Sequence, residues 1–245
     1  MKNLFFIIVL LLPVNFVQAD ISKLEVNGQI RYFSTLVDDL GERYDDTRSG
    51  PALDLHFTYP INKNLSINSF NYVINYNDTT SGDETANIRY NQKLGLMYKL
   101  GRTVFYPYGK FVHHDENPKK QIDSSHAGIV VQKYFSKNLF ISGDYREELS
   151  NGAVLAGVRH SQKVFDLRLN KRNLITIKDR PVHLKIGYAE GKNLRGVKSI
   201  KFESEITNKI GFNLKYIDNM GKGPIGSNNQ NQNRDYLVSE ISYKF

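Results

Sequence analysis

Ile88-Arg89-Tyr90-Asn91-Gln92-Lys93-Leu94-Gly95-Leu96-Met97-Tyr98-Lys99-Leu100 decides how the rest of the chain is read. Ile88, Tyr90, Leu94, Leu96, Tyr98 and Leu100 recur at every second or fourth position, with Arg89, Asn91, Lys93 and Lys99 between them. Successive side chains on a strand point to opposite faces, so the stretch is a strand with one apolar and one polar face. It is more than twice the roughly 5–6 residues common in globular domains. The alternation then recurs along the chain. Leu24, Val26, Ile30 and Tyr32 oppose Glu25, Asn27, Gln29 and Arg31, and Leu53, Leu55, Phe57 and Tyr59 oppose Asp54, His56 and Thr58. Phe165, Leu167 and Leu169 oppose Asp166, Arg168 and Asn170; Ile210, Phe212, Leu214 and Tyr216 oppose Gly211, Asn213 and Lys215; Leu237, Ile241, Tyr243 and Phe245 oppose Glu240, Ser242 and Lys244. No helical period competes with this one.

Composition narrows the class. Of the 245 residues 40% are hydrophobic, mean hydropathy is −0.45 and tryptophan is absent, which excludes a bundle of transmembrane helices. Yet 15 Tyr and 14 Phe argue against disorder and suit half-buried strands. The absence of cysteine excludes disulfides, thiolate metal sites and a cysteine nucleophile. Lys2, the apolar run Leu4 to Leu12 and Val17-Gln18-Ala19 read as an export signal with its cleavage site. The expected organisation is a signal peptide over 1–19 and a single domain over 20–245, in a bacterial envelope protein. The net charge of +8 falls by one when Lys2 is removed.

The connections alternate as well. Short ones (Pro60 to Asn64, Leu100 to Thr103, Phe135 to Asn138, Thr207 to Lys209) interleave with longer polar ones (Ser34 to Ser49, Asn77 to Thr85, His114 to Ile122, Asn219 to Arg234). A short-turn side and a long-loop side characterise an up-and-down barrel that spans a membrane, whereas Greek-key crossings would not sort this way. Tyr32, Tyr59, Tyr90, Tyr98, Tyr145, Tyr188 and Tyr216 fall on the apolar face near strand ends, where their rings can sit at headgroup level. The terminal strand ends on Phe245, which resembles the recognition signature of bacterial outer-membrane barrels. The fold class expected is all-β, a transmembrane up-and-down antiparallel β-barrel in the outer membrane. Gly152 to Lys192 sets the strand number. If His160 to Lys163, Lys178 to Pro181, Asn151-Gly152 and Asn170 to Asn173 are all turns the count is fourteen; otherwise it is twelve. Twelve is favoured, at roughly 19 residues per strand.

Leu24 to Gly28, Tyr106-Pro107-Tyr108-Gly109-Lys110, Phe140 to Arg146 and Tyr236 to Phe245 occur in an order that resembles the oligogalacturonate-specific monomeric porins and their sialic-acid-channel relatives. The resemblance runs over most of the mature chain and rests on strand patterns. It implies twelve strands and a narrow lumen whose basic residues attract anionic sugars. This chain departs from the family in lacking Trp and across Gly152 to Lys192.

Residues on the polar face should line the lumen. The substrate-pathway residues expected are Arg31, Arg89, Lys93, Arg146, Arg159, Arg168, Lys185 and Lys201, accompanied by Arg172 and Lys215. Glu25, Asp54, Asp144, Glu148, Asp166, Glu203 and Glu205 oppose them. Opposed charge ladders with excess Arg would favour anions, because guanidinium forks match carboxylates. The functional expectation is therefore a passive, anion-preferring porin, monomeric, admitting acidic oligosaccharides and contacting lipid and lipopolysaccharide. The alternative is a non-channel barrel serving adhesion or envelope structure through Ser34 to Ser49 and Asn219 to Arg234.

Enzymatic and metal chemistry are not expected. Glu148-Leu149-Ser150-Asn151-Gly152 lacks the histidine two before its serine that would resemble barrel phospholipases. Ser124 and His126 share a face, but the sequence identifies no acid to orient the imidazole. His113-His114-Asp115-Glu116, Asp38-Asp39 and Asp45-Asp46 lack the spacing of zinc or calcium sites. Gly221 to Gly226 leads into a strand, so it is no phosphate loop. No cofactor is expected, and the exported, strand-alternating cations make no nucleic-acid patch.

Overall fold

The computed structural model describes residues 21–39, 42–78, 85–116, 121–151, 159–191, 194–219 and 234–245. The expected signal peptide and its cleavage site lie outside them. Twelve strands form: β1 (Glu25–Asp39), β2 (Glu42–Asn62), β3 (Leu65–Asp78), β4 (Thr85–Leu100), β5 (Thr103–Glu116), β6 (Gln121–Ser136), β7 (Leu139–Asn151), β8 (Arg159–Ile177), β9 (Arg180–Gly191), β10 (Leu194–Glu205), β11 (Ile210–Asn219) and β12 (Arg234–Lys244). Each pairs antiparallel with its chain neighbours, and β12 returns to β1 from Gln29↔Lys244 to Asp39↔Arg234, closing the barrel. Closure leaves no sheet edge, so every ladder group has a partner without water.

Twelve is thus the strand number, and the fourteen-strand alternative fails for a local reason. Asn170 to Asn173 reads as a turn, yet β8 runs through it with a bulge: Asn173 takes φ 51° and the register with β9 shifts between Lys171 and Ile175. The Asn173 amide, displaced from the ladder, donates to His183 Nδ1 at 3.0 Å. Asparagine tolerates the left-handed region in bulges as well as in turns. Lys178 and Asp179, at φ 47° and 62°, make the tight turn from β8 to β9. Two positive φ values match the right-handed twist of the flanking strands.

A second correction concerns the long connections. Much of Ser34 to Ser49 is strand: the β1–β2 ladder continues to Asp39↔Glu42, and β2 is 21 residues long. About 9–11 residues suffice to cross hydrocarbon, so this hairpin reaches beyond it. The chain end is seated equally firmly. Phe245 N donates to Gly28 O at 3.1 Å, and a Cβ on Gly28 would come within 2.4 Å of the Phe245 ring. Glycine there lets the last aromatic ring cover the first strand.

Candidate functional site: the barrel wall and lumen

Register assigns every side chain to lipid or lumen, because a residue and its cross-strand partner share a face. Val26, Ile30, Leu96, Leu167, Leu169, Ile186, Ile200, Leu214 and Ile241 are exposed aliphatics on the outer face. Tyr32, Tyr98, Tyr145, Tyr188 and Tyr216 are exposed with them, and Tyr59 and Tyr90 share that face through Tyr59↔Ile67 and Val73↔Tyr90. Tyr59, Tyr98 and Tyr243 ring the short-turn end; the others form a second ring towards the long connections. On β4, Tyr90 and Tyr98 stand eight residues apart, about 20 Å of height for a strand tilted near 40°. The outer surface is therefore a hydrocarbon-thick apolar belt between two aromatic girdles.

The inner wall is polar, and its charges fall into three groups. At the closing seam, Arg31 of β1 lies between Asp54 of β2 and Glu240 of β12. It donates from Nη2 to Asp54 Oδ1 at 2.7 Å and from Nη1 to Glu240. Gln29 and Asn213 each donate to one of these carboxylates at 2.5 Å. Both carboxylates are thereby satisfied away from bulk water, the condition for burying charge.

On the β4–β7 wall, Lys93 Nζ sits 3.5 Å from the Tyr108 ring centroid and 4.9 Å from that of Tyr106. The Tyr108 hydroxyl donates to Asp144 Oδ1 at 2.8 Å. Arg146 Nε donates to Glu148 Oε1 at 2.6 Å, and its Nη1 lies 3.6 Å from Asp144 Oδ2. Gly128 makes room for this layer: a Cβ there would meet Arg146 Cβ at 2.7 Å and the Tyr108 ring at 3.0 Å. Arg89 holds its Nε buried without a hydrogen-bond partner.

On the β8–β11 wall, Arg168 grips Asp166 through Nε at 2.9 Å and Nη2 at 2.5 Å, while its side chain stays 58% exposed. Lys185 and Lys201 both reach Glu203, at 2.7 and 2.8 Å. The two walls meet where β7 pairs with β8: Asp144, 3.6 Å from Arg146, stands opposite Asp166, which holds Arg168. Lys185, Lys201 and Lys215 follow in one row across β9, β10 and β11.

Arg31, Arg89, Lys93, Arg146, Arg168, Lys185, Lys201 and Lys215 all lie on the inner face, as does Arg172, whose guanidinium stands 5.4 Å from the Phe140 ring. Arg159 opens β8 opposite Asn151, and its side chain lies outside those described. Sequence reasoning missed Lys110, Glu240 as an ion-pair partner, and the inward aromatics Phe70, Tyr72, Tyr106 and Tyr108. On β3 and β5 the pattern is inverted, with Ser69, Asn71, Pro107 and Gly109 facing out. Pairing with Lys93 and with His56 is the signal that would have placed Lys110 and Phe70 inward.

The histidine pair behaves differently from expectation. Ser124 Oγ lies 3.0 Å from His126 Nε2, and the acid absent from the local sequence comes from the next strand: Glu148 Oε1 is 3.3 Å from His126 Nδ1. The side chains of Asp38, Asp39, Asp45, Asp46, His114, Asp115, Glu116 and Ser150, and the segment Gly221 to Gly226, lie outside the description. Among the described residues no cluster of three metal-ligating side chains occurs.

An alternating wall closed on itself, apolar and girdled outside and charged within, defines a transmembrane β-barrel of the porin type. No protein-family model matches the chain, and no curated protein sequence is similar to it. Among solved structures it is similar to the COG4313 outer membrane channel of Pseudomonas putida F1, with TM-score 0.59 and 10% identity over 90% of this chain and 95% of that one. It is similar also to the KdgM porin in complex with disordered oligogalacturonate, with TM-score 0.50 and 10% identity over 89% and 99% of the two chains. The translocator domain of the autotransporter NalP from Neisseria meningitidis shares the architecture too, with TM-score 0.53 and 10% identity over 100% of this chain and 96% of that one. Channels and a translocator thus share one fold, so function must be argued from the lumen.

Proposed function

We propose that the chain is a bacterial outer-membrane porin, monomeric, through which anionic solutes and above all acidic oligosaccharides diffuse passively. The observation that carries this reading is the set of cations Arg168, Lys185, Lys201 and Lys215, which the adjacent strands β8 to β11 place side by side on one stretch of the inner face. Low-dielectric walls focus such a field and raise the local concentration of anions. Arg168 supports the reading most directly, since its exposed guanidinium keeps donors turned to the lumen although one edge is held by Asp166. Many sites of modest strength, each partly neutralised by a carboxylate, allow release as well as entry. The likeness to a porin that binds oligogalacturonate agrees with this choice of solute. Cations outside the lumen would meet lipopolysaccharide phosphates.

One observation favours a second reading. The β1–β2 hairpin continues well past the thickness of hydrocarbon, as an adhesive or structural element would. Planar-bilayer recording of the refolded mature protein separates the two. The porin reading predicts discrete anion-selective steps blocked by galacturonate oligomers. A folded barrel that gives no steps would leave the function with the hairpin.

A further inference from the structure

Ser124 and His126 take no part in the permeation account, and their arrangement with Glu148 has a chemistry of its own. Ser124 and His126 are two apart on β6 and share its inner face. The register sets His126 between Lys110 of β5 and Glu148 of β7 in one row across three strands. One ring nitrogen faces the serine hydroxyl at 3.0 Å, and the other faces a carboxylate at 3.3 Å, without a well-aligned hydrogen bond. Such contacts in an unliganded site are commonly long and tighten when substrate binds. Hydroxyl, imidazole and acid stand in the order that activates a serine. Arg146 fixes the acid by donating to the same oxygen, Glu148 Oε1, at 2.6 Å.

A barrel wall spends its backbone N–H groups on its ladder, so a developing oxyanion here must be met by side chains. Lys110 stands directly across from His126 with Lys93 next in the same row, and Arg146 is bonded to the Glu148 of that row. Arg89, four residues from Lys93 on the same face of β4, keeps its Nε buried and unpartnered. Such a field favours a substrate that already carries negative charge.

We propose that Ser124, His126 and Glu148 form a serine-nucleophile site that hydrolyses small carboxylic esters of anionic solutes inside the lumen, a proposal that rests on solutes entering it. Ser124 Oγ attacks the acyl carbon while His126 Nε2 takes the hydroxyl proton. The bond from the acyl carbon to the alkoxy oxygen breaks, and His126 returns its proton to the departing alcohol. Water then attacks the acyl-serine in the same way, giving the carboxylic acid and regenerating Ser124. Glu148 orients the imidazole and stabilises its protonated form.

The test uses the full refolded barrel in lipid vesicles. A fluorophosphonate probe loses fluoride only to an activated serine, and the expected result is a single label on Ser124. Mono-4-nitrophenyl succinate and 4-nitrophenyl acetate share a leaving group, and the anionic ester should turn over about tenfold faster. Ser124→Ala should abolish labelling and lower hydrolysis at least ~100-fold while conductance persists. Ser124→Gly is the same control should Ser124→Ala not refold. Glu148→Gln should lower kcat more than it raises KM. Absence of a Ser124 label in a barrel shown to be folded, or hydrolysis unchanged in Ser124→Ala, would overturn the site whether or not the barrel conducts. Labelling with no conductance would support the site and remove only the channel reading.

Discussion

The β4–β7 wall and the β8–β11 wall face one lumen and are both rich in cations, yet they use them differently. On the first, Lys93 lies against two tyrosine rings and Arg146 is held by Glu148 and Asp144, with only 17% of its side chain exposed. On the second, Arg168 and Lys185 remain 58% and 41% exposed while paired. A charge tied on several sides stabilises the wall and offers little to a solute; one tied on a single side still presents donors. Cation count along a strand is therefore a poor guide to the permeation path. Number and burial of partners are a better one.

Four substitutions sharpen the contrast, in descending order of expected effect on stability. Arg31→Ala, at the closing seam, would leave Asp54 and Glu240 facing each other without their shared cation. Removing one partner of such a buried set costs about 3–5 kcal/mol, to be read as a lower urea midpoint with the slope unchanged. Arg146→Ala strands Glu148 and Asp144 and should cost about 2–3 kcal/mol, with a small change in ion selectivity. Tyr108→Phe removes one hydroxyl that donates to Asp144 and should cost about 1 kcal/mol, seen as a modest fall in unfolding temperature. Arg168→Ala should cost about 1 kcal/mol, because the guanidinium it removes is exposed although the Asp166 carboxylate it leaves is buried, yet lower anion preference most of the four. Equal stability losses for Arg146→Ala and Arg168→Ala would erase the distinction between the walls.

Much of the barrel was legible because a membrane imposes alternation on every strand it contacts, as at Ile88 to Leu100. Legibility failed where that pressure is absent or inverted. Above the hydrocarbon neither face must be apolar, so Ser34 to Ser49 reads as loop although Ser34 to Asp39 pairs with Glu42 to Ser49 as a ladder. At Asn170 to Asn173 the same residue chemistry serves a bulge and a turn, and only pairing with β9 tells them apart. On β3 and β5, aromatic rings occupy the lumen and Ser69, Asn71 and Gly109 face out, contrary to the pattern elsewhere. The inner cations were readable one strand at a time. Their partners were not, since Glu148 meets His126 across a register that the sequence does not print.

The central claim, that the lumen-facing cations of the β8–β11 wall set the selectivity of an open lumen, is tested most directly by reversal potential in a potassium chloride gradient. The account predicts an anion-selective potential for the native barrel. It predicts a shift towards zero when Arg168, Lys185, Lys201 and Lys215 are replaced together by Gln. A cation-selective native barrel, or a potential unmoved by the fourfold replacement, would contradict it.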